Sequence, residues 1–426
     1  MTTSTAPWAA PAAEGPVSAV VELPGSKSMT NRALILAAHA REGAVLTGAL
    51  RSRDTLLMAA ALRGLGIGVE EDGTTWRVLP GEPAAPAAVD CGLSGNVMRF
   101  VPPLAALADG PVAFDGDPHA RTRPMGPLLG ALRDLGVRIE DDGRGLLPFT
   151  LHGTGAVAGG TVVLDASSSS QLVSGLLLSA PSFGKGVELR HEGPPVPSAP
   201  HLEMTVRMLR EAGAEVETGQ DVWRVAPGAL RGGEWRIEPD LSNAAQFLAA
   251  ALVTGGEVTV RHWPEHTTQP GDRLRDLLAR MGGEVSWSAE RGLTVRGTGV
   301  IHGIEADLSA CSELAQVLAM VAALADSPSR FTGIAHIRGH ETDRLAALVA
   351  ELTRLGGDAE ETPDGLVIRP RPLRGGLFHT YDDHRMVMAA ATLGLAVPGI
   401  EVENPATVGK TLPTFTELWT RMLERS

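Results

Sequence analysis

Six stretches of the chain repeat one pattern: a short polar start, then an Ala- and Leu-rich run with little polar interruption. They are PGSKSMTNRALILAAHA from Pro24, DCGLSGNVMRFVPPLAALA from Asp90 and DASSSSQLVSGLLLSAP from Asp165. DLSNAAQFLAAALVTGG from Asp240, DLSACSELAQVLAMVAALA from Asp307 and YDDHRMVMAAATLGLAV around Asp382 follow. Hydroxyls and carboxylates just before an apolar run are helix N-caps. A helix apolar nearly all round is a buried one. After each such run comes an amphipathic stretch, and in five units it ends at glycine, a helix stop: LLMAAALRGLG, LLGALRDLG, MTVRMLREAG, LRDLLARMGG and LAALVAELTRLGG. Short strand-like stretches such as Val137–Glu140 and Ala214–Glu217 come next. Each unit therefore reads strand–helix–strand–helix–strand, with one buried and one half-exposed helix. Near-even spacing over six copies makes chance Ala/Leu richness a poor account. The pattern predicts three units per domain and a boundary near Pro239, because 426 residues exceed one ordinary core.

Composition narrows the partners. The formal charge of −13 opposes general binding to nucleic acid or to an anionic membrane surface. Two cysteines, Cys91 and Cys311, are too few for a disulfide framework or a metal cluster and suit a reducing cytoplasm. No apolar run reaches the roughly 18–20 residues of a membrane helix. Residues 1–15 are rich in Ala, Pro and Thr and lack any basic residue, so they predict a disordered tail rather than a targeting signal.

The polar helix starts differ from unit to unit, as a repeated scaffold carrying a specialised site requires. The first holds Lys27, Ser28 and Arg32; the second holds Gly95, Asn96 and Arg99, with Arg121 and Arg123 in the loop beyond. The third offers Ser167–Ser170 and Gln171. The fifth carries Glu313 on an apolar helix face, where a lone carboxylate is costly unless paired or used. Its second helix opens on His340, Glu341 and Arg344, and the sixth unit brings Asp383, His384, Arg385 and later Lys410. Singly, each reads as a cap or a solvated cation. Gathered on several helix N-termini, which favour anions, they imply a pair of doubly anionic substrates.

PGSKSMTNR, GLSGNVMRF, SSSSQ, HETDRLAAL, DDHRMVM and the late GKT-P resemble the 5-enolpyruvylshikimate-3-phosphate synthase family, from about Val17 onward. The resemblance implies an α/β (α+β) fold of two domains, each of three βαβαββ units, with buried helices pointing their N-termini at an interdomain cleft. It implies an inserted domain, 24–239, within a discontinuous one, 1–23 plus 240–426. The implied reaction transfers the enolpyruvyl group of phosphoenolpyruvate to the 5-hydroxyl of shikimate-3-phosphate and releases phosphate. It needs no cofactor or metal, and it is the target of glyphosate. The implied protein is a cytoplasmic monomer whose partners are these two small molecules.

Residue by residue, the resemblance implies that Lys27 touches both substrates. Ser28, Arg32, Ser169, Ser170, Gln171, Ser198, His336 and His340 bind shikimate-3-phosphate. Gly95, Arg123, Gln171, Arg344, Arg385 and Lys410 surround phosphoenolpyruvate, and Arg99 shapes the structure or field nearby. Glu313 is the general base, also touching shikimate-3-phosphate, and Glu341 protonates the methylene carbon. This chain departs from the family pattern at Glu313 (commonly Asp), His340 (commonly Lys), His336 (commonly Asn), His201 (commonly Tyr) and Asn96 (commonly Thr). As a lysine substitute, His340 would hold phosphate only while protonated. Three rivals remain: the sister enzyme acting on a UDP-amino sugar, an RNA-end cyclase of the same broad fold, and a non-catalytic phosphometabolite sensor. The shikimate-type motifs oppose the first and the charge opposes the second.

Overall fold

In the computed structural model, residues 6–424 are described. The chain forms two compact units, Gly25–Ile237 and an end unit that joins the residues up to Pro24 to those from Glu238 onward.

The inserted unit holds helices α1 (Lys27–His39), α2 (Arg53–Gly64), α3 (Gly95–Ala105), α4 (Gly126–Asp134), α5 (Ser170–Ser179) and α6 (Ala199–Glu211). The end unit holds α7 (Leu241–Thr254), α8 (Leu274–Arg280), α9 (Ala315–Ala323), α10 (Arg344–Arg354), α11 (His384–Gly394) and α12 (Phe415–Glu424). The odd-numbered helices are the apolar repeats. Every residue of α3, α9 and α11 is buried. In the inserted unit α1, α3 and α5 pack on one another, and in the end unit α7, α9 and α11 do the same. Full burial of each Leu, Val or Phe there is worth about 1.5–3 kcal/mol. The even-numbered helices are amphipathic and cover the outside. Five of them stop where predicted, at Gly66, Gly136, Gly213, Gly282 and Gly356, all with φ between +83° and +101°.

Among the described residues, five of the six small sheets share one design: two parallel strands, then an antiparallel hairpin. Ala87–Asp90 runs parallel to Asp109–Asp115, which pairs antiparallel with Phe149–Thr154, itself paired with Arg138–Glu140. Periodicity read one strand after the second helix; the hairpin supplies two. Five sheets have four strands and the sixth has three. Two strands are exchanged in sequence order. Ser18–Val21 precedes α1 yet pairs parallel with Glu257–Val260 of the end unit. Gly233–Arg236 precedes α7 yet pairs parallel with Ala44–Thr47 of the inserted unit.

The predicted disordered tail is corrected. Residues 1–5 lie outside the described residues, but Trp8–Ala9 forms a strand antiparallel to Ile400–Val402. Ala10 N donates to Ile400 O at 2.9 Å, and Ala13 N donates to Leu395 O at 3.0 Å. Trp8 lies edge-on to Phe415 at 6.2 Å. The sixth sheet has no closing hairpin, so this segment covers its edge. Low charge and Ala/Pro richness marked a tail; one tryptophan and a free edge make it a strand.

No helix among the described residues is long and apolar enough to cross a membrane.

Candidate active site

The first turns of α1, α3, α5, α7 and α11 carry no acidic residue, so the positive ends of α1, α3 and α5, which serine hydroxyls cap, are not offset by a carboxylate of their own. Each of these helices has a side-chain cap. Ser26 accepts from Met29 N, Ser94 from Val97 N and Ser169 from Gln171 N. Asp240 accepts from Asn243 N, and Asp383 from Arg385 N.

In the inserted unit, Lys27 Nζ lies 3.5 Å from the buried Asp54. Ser28, one turn before Arg32, accepts from it through its backbone carbonyl at 3.0 Å. Arg32 is 1% exposed, and its other bonds go to Thr205 Oγ1 at 2.7 Å, His201 O at 3.2 Å and Ser174 Oγ at 3.4 Å. Among the described residues no carboxylate pairs with it. Burial pulls this guanidinium down to about 9, the signature of a cation held by neutral acceptors. Gly95 opens α3 beneath a canopy of side chains. A Cβ there would meet Gln171 Oε1 at 2.8 Å and Arg123 and Arg99 nitrogens at 3.0 Å each. Among the described residues, Gln171 Oε1, Arg123 Nε and Asn96 Nδ2 are buried polar atoms with no hydrogen-bond partner. Such orphans cost free energy unless a ligand satisfies them. Ser170 is buried at the start of α5. Ser198 occupies the N-cap position of α6 with φ +56° but makes no side-chain capping bond there, and no hydrogen bond links it to Ser169 or Ser170 among the described residues.

In the end unit the charges form one network. Arg344, 3% exposed, donates to both oxygens of Asp383 at 2.7 and 3.1 Å and to Glu341 Oε2 at 2.8 Å. Lys410 donates to Glu341 Oε1. Burial alone would lower the Arg344 pKa; Asp383 and Glu341 more than offset it, and the pKa is raised. Ser242 links two more predicted residues. Its hydroxyl donates to Glu313 Oε1 at 3.3 Å, and its carbonyl accepts from Arg385 at 2.9 Å. Glu313 stands in a single 3-10 turn before α9 rather than on the apolar helix itself. Burial raises its pKa, with Arg385 and Ser242 pulling the other way.

The histidines differ from the lysine-like reading. His340 Nδ1 lies 3.0 Å from an Arg344 nitrogen, and since a guanidinium only donates, the ring nitrogen is the acceptor of this contact. His336 Nε2 meets Ser312 Oγ at 2.9 Å, and burial lowers its pKa. His384 is buried, which drives its pKa well below the ordinary value. His201 serves Arg32 through its backbone carbonyl.

The structure thus joins Gly95, Arg123, Gln171 and Arg99 in one group. It joins Glu341, Arg344, Lys410 and His340 in another, and Glu313 with Arg385 through Ser242. Sequence reasoning missed Asp54, Ser174, Thr205 and Ser242. Asp383 was visible as a helix cap; its grip on Arg344, far off in sequence, was not.

A two-unit protein built from six small sheets, whose buried helices end in arginines, lysines and serines, belongs to the class of enolpyruvyl transferase folds. Residues 11–419 match the family model described as EPSP synthase (3-phosphoshikimate 1-carboxyvinyltransferase). A 3-phosphoshikimate 1-carboxyvinyltransferase from Kocuria rhizophila is 53% identical over 98% of this chain and 96% of that protein. The EPSP synthase structure from Acinetobacter baumannii superposes with a TM-score of 0.83, at 25% identity and 98% coverage of both chains. The enolpyruvyl transferase NikO from Streptomyces tendae shares the fold, with a TM-score of 0.75 at 19% identity over 96% of both chains. The chain belongs to the EPSP synthase family.

Proposed function

We propose that this enzyme transfers the enolpyruvyl group of phosphoenolpyruvate to the 5-hydroxyl of shikimate-3-phosphate, releasing phosphate, as a step of the shikimate pathway. The observation that carries the reading is Glu341, held between Arg344 and Lys410 beside Asp383. Two cations already grip one carboxylate there, and they are the right donors for the phosphate and carboxylate of phosphoenolpyruvate. Family membership over nearly the whole chain supports the same reading.

In this reading Glu313 removes the 5-hydroxyl proton as that oxygen attacks C2 of phosphoenolpyruvate. Glu341 delivers a proton to C3, giving a tetrahedral intermediate with carboxylate and phosphate on one carbon. Loss of a proton from the new methyl group and of phosphate from C2 restores the double bond. Two carboxylates in different surroundings suit opposite proton transfers. Lys27, Arg123, Arg344, Arg385 and Lys410 stabilise the anionic charge, with Gly95 and Gln171 against phosphoenolpyruvate. Ser28 and Arg32 take the shikimate carboxylate, and Ser169, Ser170 and Ser198 its phosphate; His336 and His340 border it. Arg32, buried without a carboxylate partner, supports that anion assignment. The reading includes action as a monomer in the cytoplasm. Release of inorganic phosphate that requires both shikimate-3-phosphate and phosphoenolpyruvate tests it. Release with UDP-N-acetylglucosamine in place of shikimate-3-phosphate would overturn it in favour of the sister activity.

A further inference from the structure

The turn before Asp383 is held in a conformation that side chains rarely adopt. Tyr381 and Asp382 sit at φ +53° and +55°, and the neighbouring Asn404 at +38°. Backbone strain of this kind persists only where the surroundings impose it. Glu351 of α10, 0% exposed, does so from one side. Tyr381 Oη donates to Glu351 Oε1 at 2.7 Å, His379 N donates to Oε2 at 2.9 Å, and Arg354 Nε donates to Oε2 at 3.2 Å. From the other side, Asn404 Nδ2 donates to Asp382 Oδ1 at 2.7 Å, and Thr380 Oγ1 donates to Glu403 O at 3.1 Å.

A carboxylate buried on the inner face of α10, beside Leu348 and Leu352, is expensive where an apolar residue would pack. What it gains is the turn. α10 grips the 379–383 segment twice: Arg344, its first residue, holds Asp383, and Glu351, two turns on, holds Tyr381. Asn404 in turn leads into the 3-10 turn Pro405–Lys410, which ends at the lysine bound to Glu341.

We propose that Tyr381 and Glu351 are positioning residues for enolpyruvyl transfer: their hydrogen bond fixes the left-handed turn that aims Asp383 and Arg385, and through them Arg344, at the anionic groups of phosphoenolpyruvate. This rests on the reaction assigned above. Both act through the cations assigned to phosphoenolpyruvate.

Tyr381 is the chain's one tyrosine, which provides a reporter. Enzyme grown with 3-fluorotyrosine gives a single fluorine resonance from this turn. It should shift when phosphoenolpyruvate joins the shikimate-3-phosphate complex. Tyr381→Phe keeps the ring and loses the donor. It should raise KM for phosphoenolpyruvate about tenfold, the worth of a bond to a charged acceptor, with a smaller change in kcat and none in KM for shikimate-3-phosphate. Adding Asp382→Asn, which tolerates the left-handed region better and keeps an acceptor for Asn404, should recover part of the loss. Unchanged KM for phosphoenolpyruvate in Tyr381→Phe, equal rises for both substrates, or a fluorine resonance indifferent to phosphoenolpyruvate would each overturn the positioning role. Wild-type enzyme that releases no phosphate with both substrates would overturn the assigned reaction instead.

Discussion

A Cβ placed on Gly95 would stand 2.8 Å from Gln171 Oε1, closer than packing tolerates. The other near atoms are guanidinium nitrogens of Arg123 and Arg99. All three are ends of flexible side chains, so Gly95→Ala should fold with almost unchanged thermal stability and displace those groups instead. We expect KM for phosphoenolpyruvate to rise by about tenfold or more, the cost of one misplaced methyl in a tight site. Inhibition by the bulkier mimic glyphosate should weaken further. Steady-state kinetics with both ligands checks this; a matching rise in KM for shikimate-3-phosphate would point to a general backbone defect.

Glu313→Gln should lower kcat by about 100-fold or more while leaving shikimate-3-phosphate binding in place. Burial raises the Glu313 pKa in the folded protein, so its ionised form destabilises the fold. Such a group's stabilising share is present at low pH and lost as pH rises through its folded pKa. Near pH 7, Glu313→Gln should therefore melt higher than wild type. That advantage should fade once pH falls below about 4.3, the ordinary glutamate value, where wild type is neutral in both states. Thermal melts at the two pH values decide it, and an inverted order would mean that Arg385 and Ser242 outweigh burial.

Glu341 occupies Arg344 and Lys410, the cations assigned to phosphoenolpyruvate. When substrate anions take those donors, the carboxylate gives up two cationic neighbours and should take up a proton more readily, arming it for delivery to carbon. Calorimetry in buffers of different ionisation enthalpy should show proton uptake when phosphoenolpyruvate or glyphosate joins the shikimate-3-phosphate complex. By linkage, phosphoenolpyruvate affinity should fall as pH rises even above about pH 7.5, where a phosphate with a second pKa near 6 is already ionised. Binding without proton exchange in wild type, or exchange that survives Glu341→Gln, would sink the idea.

Thr205 Oγ1 accepts from Arg32 Nε at 2.7 Å and stands 2.9 Å from Ser174 Oγ. Thr205→Val keeps the volume and strands a buried cationic donor. The expected loss is about 1.5–3 kcal/mol in urea denaturation, together with a raised KM for shikimate-3-phosphate and little change for phosphoenolpyruvate. A stability loss with both KM values untouched would leave Arg32 a purely structural cation.

The six apolar helices, and the caps of five of them, were legible because each is written locally: a polar start, an unbroken apolar run, and caps such as Ser26 and Asp240. The five glycine stops were legible because only glycine takes positive φ without cost. Strand partners were not. Nothing in Ser18–Val21 says that it pairs beside Glu257–Val260, and nothing in Trp8–Ala9 announces Ile400–Val402. Pairing over such separations is decided by which edge is left open. The same limit applied to the charges. Glu341, Arg344 and Lys410 stood out as residue types, but whether Arg344 would face Asp383 and Glu341, or His340 would donate or accept, depends on contacts no local pattern encodes.

The exchanged strands set an order of events during synthesis. When Arg236 leaves the ribosome, the inserted unit has all twelve of its strands and can close. Ser18–Val21 and Trp8–Ala9 were made first, yet their sheets do not exist until Glu257–Val260 and Ile400–Val402 have been translated. Two finished β-segments must therefore wait, unpaired, until their partner strands have been made. Unpaired strands are the segments most open to wrong partners. The brevity of Trp8–Ala9 and the Glu22 that follows Ser18–Val21 fit segments that have to stay unpaired without aggregating.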